Sequence, residues 1–320
     1  MADTLIYILQ VNIGLVLFSL AYWLTLRPLT FYTINRVFLM FGIAFSFSFP
    51  LINLPIFIWP NVVTHYVPSF ESVHVQAAAP VSLVALAILF WMGVVTMALR
   101  LFVQLASLYM IHMHSTHSCF NGVWYRNVGK RINPFTFWRS IYLNPEQHQE
   151  SDLAPILCHE QVHVRQWHTV DVLLSELCRI LCWFNPVVWL FVHSVKENIE
   201  FIADREVIKS GIERKVYQYS LIRIGATSHA PTPVNNFNLL TIKNRIRMMN
   251  KMKSPIMHIA RYLVLVPLVI ALAFSACSEI NEVPLPEATI KEHQEAKKAS
   301  AAQPNIPVVV VSEEPKNQEK

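Results

Sequence analysis

Two histidines and a glutamate stand at a spacing that could hold and use a metal ion. His159, Glu160 and His163 form the pattern H-E-x-x-H in a segment, 153–172, with no glycine and no proline after Pro155. This segment predicts a helix, on which residues four apart share one face. His159 and His163 could then give one ion two nitrogen ligands, while Glu160 reaches a water on that ion without binding the metal. The arrangement is typical of zinc peptidases.

A third ligand must come from elsewhere in the chain, because a catalytic zinc usually has three protein ligands and a water. Glu200 is the best candidate, and Glu197, one helical turn away, is its rival. Asp204 shares a helical face with Glu200 and could accept the N–H of a ligating histidine. A solvated acidic helix face is the alternative interpretation, but the apolar residues 201–203 indicate a partly buried helix.

Three motifs occur in an order that resembles a known family. They are H-E-x-x-H at 159–163, W-F-N-P at 183–186 and E-N-x-E-F-x-A-D at 197–204. With the segment N-P-F-T-F at 133–137, they resemble the BlaR1/MecR1 family of integral-membrane zinc peptidases, the M56 group. The resemblance is dense from about residue 133 to about residue 253.

The resemblance implies a chemical role for each matching residue. His159, His163 and Glu200 would be the ligands of Zn²⁺, and Glu160 would be the catalytic base. It also implies signal transduction by cytoplasmic proteolysis, either of a regulator such as a transcriptional repressor or of the protein itself. The antibiotic sensors of the family carry an S-x-x-K motif in a domain after the last span. No such motif follows Ser278, so the resemblance does not extend to β-lactam sensing.

The composition indicates an integral membrane protein. The chain has 320 residues, of which 53% are hydrophobic and only 15% are charged, whereas soluble domains carry about 25% charged residues. Four apolar runs, at 5–26, 37–58, 80–110 and 256–276, are long enough to cross a bilayer. We therefore predict a mainly α, polytopic membrane protein with about four transmembrane helices and a cytoplasmic α+β, gluzincin-like zinc peptidase domain.

This interpretation divides the chain into four parts. Three transmembrane helices with short loops occupy residues 1–110, and the peptidase domain occupies residues 111–255. The fourth transmembrane helix follows at 256–277. Residues 278–320 are rich in proline, glutamate, lysine and alanine, which predicts a disordered extracytoplasmic tail.

The distribution of basic residues predicts the orientation in a bacterial inner membrane, because short loops rich in lysine and arginine stay in the cytoplasm. Arg27 and Arg36 place the first loop inside, and residues 59–79, which contain neither lysine nor arginine, lie outside. Basic residues from Arg126 to Arg131 place the end of the third run inside. The N-terminus and the C-terminal tail would thus be extracytoplasmic, and the active site cytoplasmic.

The apolar segment 172–192 could be mistaken for another span. Charged residues near its centre, such as Glu176, would be costly in lipid. If it did span, Glu200 and His159 would lie on opposite sides of the membrane. We therefore predict a buried or membrane-abutting pair of helices that is broken at Asn185.

Residues after the metal-binding motif and before it give further predictions. His168 and Asp171 are three apart and could support the metal site, although a solvated helix end remains open as the alternative. Residues 122–142 mix β-branched and aromatic residues with turn residues, which predicts short strands. We expect the strand at 140–144 to form a sheet edge that could hold an extended substrate.

The remaining histidines and basic residues give two further predictions. His112, His114 and His117 are spaced unevenly, which favours an exposed loop over a second metal site. The basic segment 243–253 precedes the last apolar run and is better explained by attraction to anionic lipid than by nucleic-acid binding.

Two other functions stay open beside a signalling peptidase. One is a catalytically silent membrane receptor or scaffold, against which the intact Glu160 argues. The other is a quality-control protease for membrane proteins. The expected partners are a protein substrate, for which a transcriptional repressor is one candidate, and the lipid bilayer. No direct contact with nucleic acid is expected, and a homodimer stays open.

Overall fold

The computed structural model describes residues 2–51, 81–227 and 232–270. Met1–Cys277 forms one compact unit, and the predicted tail at 278–320 lies outside the described residues. The described part is mainly helical with one small sheet. The gluzincin-like fold and the four domain boundaries are not tested by this architecture and stay predictions.

Three long apolar helices come first in the chain. A π-helical turn, Tyr22–Leu26, extends the first of them. The helices are α1 (Ala2–Ala21), α2 (Tyr32–Ser48) and α3 (Val81–His114). Each includes a stretch that is long and apolar enough to cross a membrane. α2 ends just before Pro50, in a short 3₁₀ turn at Phe49–Leu51, because proline cannot continue the hydrogen-bond ladder.

The fourth predicted span is only partly described. A 3₁₀ helix covers Ile256–Val264, and the apolar helical stretch that the structure describes runs from Ile256 to Ile270. This stretch is shorter than the three N-terminal candidates, and residues 271–276 lie outside the described part. Four spans therefore stay a prediction.

A four-stranded sheet follows α3. Its strands are β1 (Thr116–Phe120), β2 (Val123–Asn127), β3 (Phe135–Phe137) and β4 (Ser140–Leu143), in the spatial order β1-β2-β4-β3. Short strands in this region were predicted and are confirmed. The expectation that 140–144 forms a sheet edge is wrong, because β4 pairs with β2 on one side and with β3 on the other. The edge strand beside the metal helix is β3.

The three histidines after the third apolar run do not lie in a loop. α3 continues to His114, so that His112 and His114 stand in its last turn, and His117 lies in β1. His112 Nδ1 is 2.7 Å from the hydroxyl of Tyr142. This contact connects the last turn of α3 to β4.

The metal-binding motif lies on α4 (Glu150–Arg165), and α5 (His168–Leu181) follows after a sharp break. The segment 153–172 was predicted to be helical, and it is, except for a break at Gln166 and Trp167 that was not predicted. Trp167 adopts a left-handed conformation with φ 56°, which ends a helix. The Trp167 ring packs edge-on against Trp138, with ring centres 5.2 Å apart. The carbonyl of Gln166 accepts a hydrogen bond from Arg36 at 2.7 Å.

The predicted pair of helices broken at Asn185 is confirmed. α5 ends at Leu181 and α6 runs over Pro186–Lys209. The side-chain oxygen of Asn185 accepts the N–H of Val187 at 2.9 Å, which caps α6. The side-chain amide of Asn185 donates to Asn12 of α1 at 2.8 Å. The turn between α5 and α6 therefore lies against an apolar helix, well away from that helix's end at Ala21.

The buried charge of Glu176 in this helix pair is matched by two cations. Glu176 is buried and forms ion pairs with Arg179 and with Lys196. The apolar side of α6 packs into the core formed with α1 and α2. Two further helices, α7 (Arg214–Thr227) and α8 (Thr232–Met249), complete the unit around α6.

Candidate metal site

The two motif histidines and Glu200 converge on one point. The Nε2 atoms of His159 and His163 are 3.1 Å apart. Glu200 places Oε2 3.3 Å from His159 Nε2 and Oε1 3.7 Å from His163 Nε2. Ligands bound tetrahedrally to zinc at about 2.0–2.1 Å stand about 3.3 Å apart. The donor atoms therefore have both the chemistry and the spacing that a zinc ion requires.

The Nδ1 atoms of the two histidines contact residues outside the ligand cluster. His159 Nδ1 lies 2.8 Å from the hydroxyl of Tyr217, and His163 Nδ1 lies 2.8 Å from His168 Nδ1. A hydrogen bond at Nδ1 sets the tautomer and leaves Nε2 available as a ligand. Both histidines are thus oriented with Nε2 toward Glu200.

Tyr217 is a supporting residue that the sequence did not reveal. It is buried, and its hydroxyl donates to Asp204 at 2.6 Å. Burial and the neighbouring Asp204 carboxylate raise the pKa of Tyr217 well above its ordinary value, so the hydroxyl keeps its proton. The predicted link from Asp204 to His159 therefore passes through Tyr217, since Asp204 itself is 3.5 Å from His159 Nδ1.

Arg245 is the second residue that the sequence did not assign to the site. Its Nη1 lies 3.0 Å from Glu200 Oε2, and its Nε donates to Asp204 at 2.9 Å. Burial alone would raise the pKa of Glu200, but Arg245 and the two histidines hold that pKa well below its ordinary value. Glu200 is therefore a carboxylate, which is the form that binds a metal.

Glu197 faces other partners. Its carboxylate accepts hydrogen bonds from Arg27 at 3.2 Å and from Asn244 at 2.9 Å. The metal-compatible cluster that the described residues form contains Glu200 and does not contain Glu197. Glu200, the candidate ligand, and Glu197, which binds Arg27 in the loop after α1, therefore lie one turn apart on α6.

Glu160 is held beside the cluster by the edge strand. Thr136 of β3 donates to Glu160 Oε2 at 2.7 Å, and its hydroxyl lies 3.1 Å from the Glu160 carbonyl. Glu160 is buried and lines the same cavity as His159 and His163. A carboxylate fixed next to two ligands, without being one itself, is placed to exchange protons with a water at the centre.

His168 and Asp171 occupy different positions around the site. His168 contacts His163, and burial is the largest cause that lowers the pKa of His168 to about 3, which keeps it neutral. Asp171 pairs with Arg36 at 2.7 Å. No hydrogen bond or ion pair joins His168 to Asp171 within the part of the chain that the structure describes.

A cavity of about 680 Å³ opens over the cluster. Its walls come from α3, β3, α4, α5, α6, α7 and α8. The α3 residues include Leu101 and Leu105, which follow Arg100 in that long helix. The cavity could accommodate several residues of an extended peptide, and one of its walls belongs to a candidate membrane span.

The comparison with known families agrees with this geometry. Residues 135–249, from the start of β3 to the end of α8, match the family described as BlaR1 peptidase M56. This part of the chain is therefore similar to the M56 peptidases. No curated protein shows a significant match to the chain. M56 members are metallopeptidases, and the apolar helices together with the family indicate a membrane protein.

The hydroxyl of Tyr217 gives a direct test of the candidate metal site. We expect Tyr217→Phe to weaken zinc binding by about 10–100-fold, because the loss of a group that orients a ligating histidine typically has this effect. Tyr219→Phe is the matched control, since Tyr219 lies on the same helix with an exposed ring. Competition with a fluorescent chelator measures both affinities. Equal affinities in the two variants would contradict the role of Tyr217.

Proposed function

We propose that this protein is a membrane-embedded zinc endopeptidase. The convergence of His159, His163 and Glu200 beside Glu160 carries the proposal. Three protein ligands leave a fourth position open, as catalytic rather than structural zinc sites do. The family match supplies the independent support.

Each residue of the site has a distinct role in the proposed peptide hydrolysis. Zinc, when bound by His159, His163 and Glu200, would polarise the scissile carbonyl and make the attacking water more acidic. Glu160 takes the proton of that water and passes it to the leaving amine. Thr136 holds the Glu160 carboxylate in position for both transfers.

The substrate is a protein in extended conformation. β3 is the terminal strand of the sheet, and Phe135, Thr136 and Phe137 line the cavity. An added strand could pair with the free edge of β3, so that main-chain hydrogen bonds hold the peptide whatever its sequence. The short distance from Thr136 to Glu160 would bring that peptide to the base.

We further propose that the site is cytoplasmic and that it responds to the membrane helices. Arg27 lies in the loop between α1 and α2, and Arg36 lies near the start of α2. Their positive charge favours the cytoplasmic side. Arg27 pairs with Glu197 of α6, and Arg36 pairs with Asp171 of α5. A shift of α1 or α2 would therefore reach α6, which carries Glu200, and α5, which carries His168. Cleavage of a regulator or of the chain itself would transmit the signal.

Metal removal and restoration test the enzyme. In the full-length protein in detergent, we expect about one zinc per chain and cleavage of the chain or of an added unfolded protein. A chelator should abolish this cleavage, and added zinc should restore it. Bound zinc without any cleavage would favour the silent receptor or scaffold. Absence of both would refute the proposal. Indiscriminate cleavage of unfolded membrane proteins would favour quality control over signalling.

A further inference from the structure

A second cavity, of about 650 Å³, is strongly basic. It lies between α6, the loop that joins α1 to α2, and the segment after α8. Six basic residues line it: Arg205, Lys209, Arg214, Arg245, Lys251 and Lys253. Among the described lining residues the acidic one is Asp204, which is bound to Arg245. The proposed peptidase mechanism uses none of the other five cations.

The positive charge of this basic cavity is only partly neutralised by the acidic residues around it. Lys209 and Arg205 share the carboxylate of Glu206, at 2.8 and 3.6 Å. Arg205 Nε is buried, and it has no hydrogen-bond partner in the described structure. Arg214 and Lys253 form no hydrogen bond or ion pair within residues 2–51, 81–227 and 232–270. These donors are available to an anion.

The basic cavity lies where apolar helices begin and end. Thr30 belongs to the loop between two candidate spans, and Ser254 stands just before the apolar stretch that begins at Ile256. Thr30 and Ser254 exchange two hydrogen bonds, of 3.1 and 2.8 Å, between backbone and hydroxyl groups. Apolar side chains, those of Phe31 and Met248 among them, line the cavity beside the cations. A cavity lined by both cations and apolar side chains suits a ligand that has an anionic group attached to an apolar part.

We propose that the basic cavity binds a phosphate-bearing anion at the membrane surface. Arg214 and Lys253 supply the free charge, and Arg205 supplies the buried N–H. Phosphate has several acceptor oxygens and pairs well with such donors. The position between spans favours the headgroup of an anionic phospholipid, and a soluble phosphorylated compound would offer the same chemistry. The basic cavity shares Arg245 with the cavity over the metal site, but the residues proposed to hold the anion take no part in the proposed proteolysis.

Binding to the full-length protein in a neutral detergent tests the site. The probes are short-chain phosphatidylglycerol, short-chain phosphatidylcholine with the same acyl chains, and inorganic phosphate, measured by calorimetry at one ionic strength. Arg214→Gln/Lys253→Gln removes two lining charges that hold no other group. Lys243→Gln/Arg247→Gln is the matched control, because it removes one lysine and one arginine from exposed positions outside the cavity.

We expect phosphatidylglycerol, and not phosphatidylcholine, to bind the wild-type protein. The cavity variant should bind it about 25-fold more weakly, because each basic residue near an anionic surface contributes about 1 kcal/mol, or about fivefold. The control variant should change by less than about threefold, since screening weakens charges that lie outside the site.

Inorganic phosphate separates the two sources of the anion. If the wild-type protein binds inorganic phosphate and the cavity variant does not, the ligand is a soluble phosphorylated compound. If the wild-type protein binds phosphatidylglycerol but not inorganic phosphate, the ligand is the lipid headgroup. The proposal is overturned if neither anion binds. It is equally overturned if the two variants weaken binding to the same extent, since the attraction would then be diffuse.

Discussion

Glu200→Gln is expected to abolish stable zinc binding and, with it, all cleavage. Glutamine keeps the shape of the side chain but removes the charge that pairs with the metal. Loss of a group that merely orients a ligand reduces affinity by about 10–100-fold, so loss of a ligand should exceed about 100-fold. Zinc per folded chain, measured by mass spectrometry after size-exclusion chromatography, gives the result.

Glu197→Gln is the matched control, because Glu197 lies one turn away on the same helix and binds Arg27 and Asn244. It should keep its zinc while lowering stability, because breaking a buried ion pair typically costs about 3–5 kcal/mol, and Arg27 is partly exposed, so the lower end applies. Thermal unfolding would register that loss. Zinc retained in Glu200→Gln and lost in Glu197→Gln would show that the rival is the ligand.

Glu160→Gln is expected to separate metal binding from catalysis. The variant should hold as much zinc as the wild type, because Glu160 lies outside the ligand cluster. Its rate of cleavage should fall by about 10²–10⁴-fold, which is the usual contribution of a positioned general base. A fluorogenic peptide assay in detergent, with zinc content measured on the same sample, provides both values.

Thr136→Val serves as the comparison for this second prediction. It removes the hydroxyl that holds the Glu160 carboxylate at 2.7 Å and leaves the carboxylate itself. We expect normal zinc content and a smaller loss of rate, of about tenfold. One hydrogen bond to a charged group has a net value of about 1.5–3 kcal/mol, and the lower end applies because Thr136 only orients the base. A Glu160→Gln variant that cleaves at the wild-type rate would remove Glu160 from the mechanism.

Much of the site could be predicted because it depends on residues that are close together in the sequence. The spacing of His159 and His163 places both on one face of any helix, whatever surrounds it. The end of α5 and the start of α6 follow from Asn185 and Pro186, which together favour a helix start. The apolar helices follow from length and hydropathy alone. None of these features needs a distant residue.

Other features depend on residues far apart in the chain. Trp167 has no sequence signal for a left-handed conformation, and the packing of Trp138 and the hydrogen bond from Arg36 stabilise the break there. β4 is interior rather than an edge because β2 pairs with it in parallel. Tyr217 reaches His159 across 58 positions of sequence, a separation at which no spacing rule applies.

The sequence by itself determined the chemistry of the site: two histidines four apart, a glutamate between them and acidic residues on a later helix. It favoured Glu200 and left Glu197 open as a rival, because the two occupy the same helix and differ by one turn. Only the tertiary structure decided, because α6 packs against α1 and α2 in a rotation that turns Glu197 toward Arg27 and Glu200 toward the histidines. That rotation is set by buried apolar contacts made along the whole helix, and these contacts cannot be derived from the spacing of residues in the sequence.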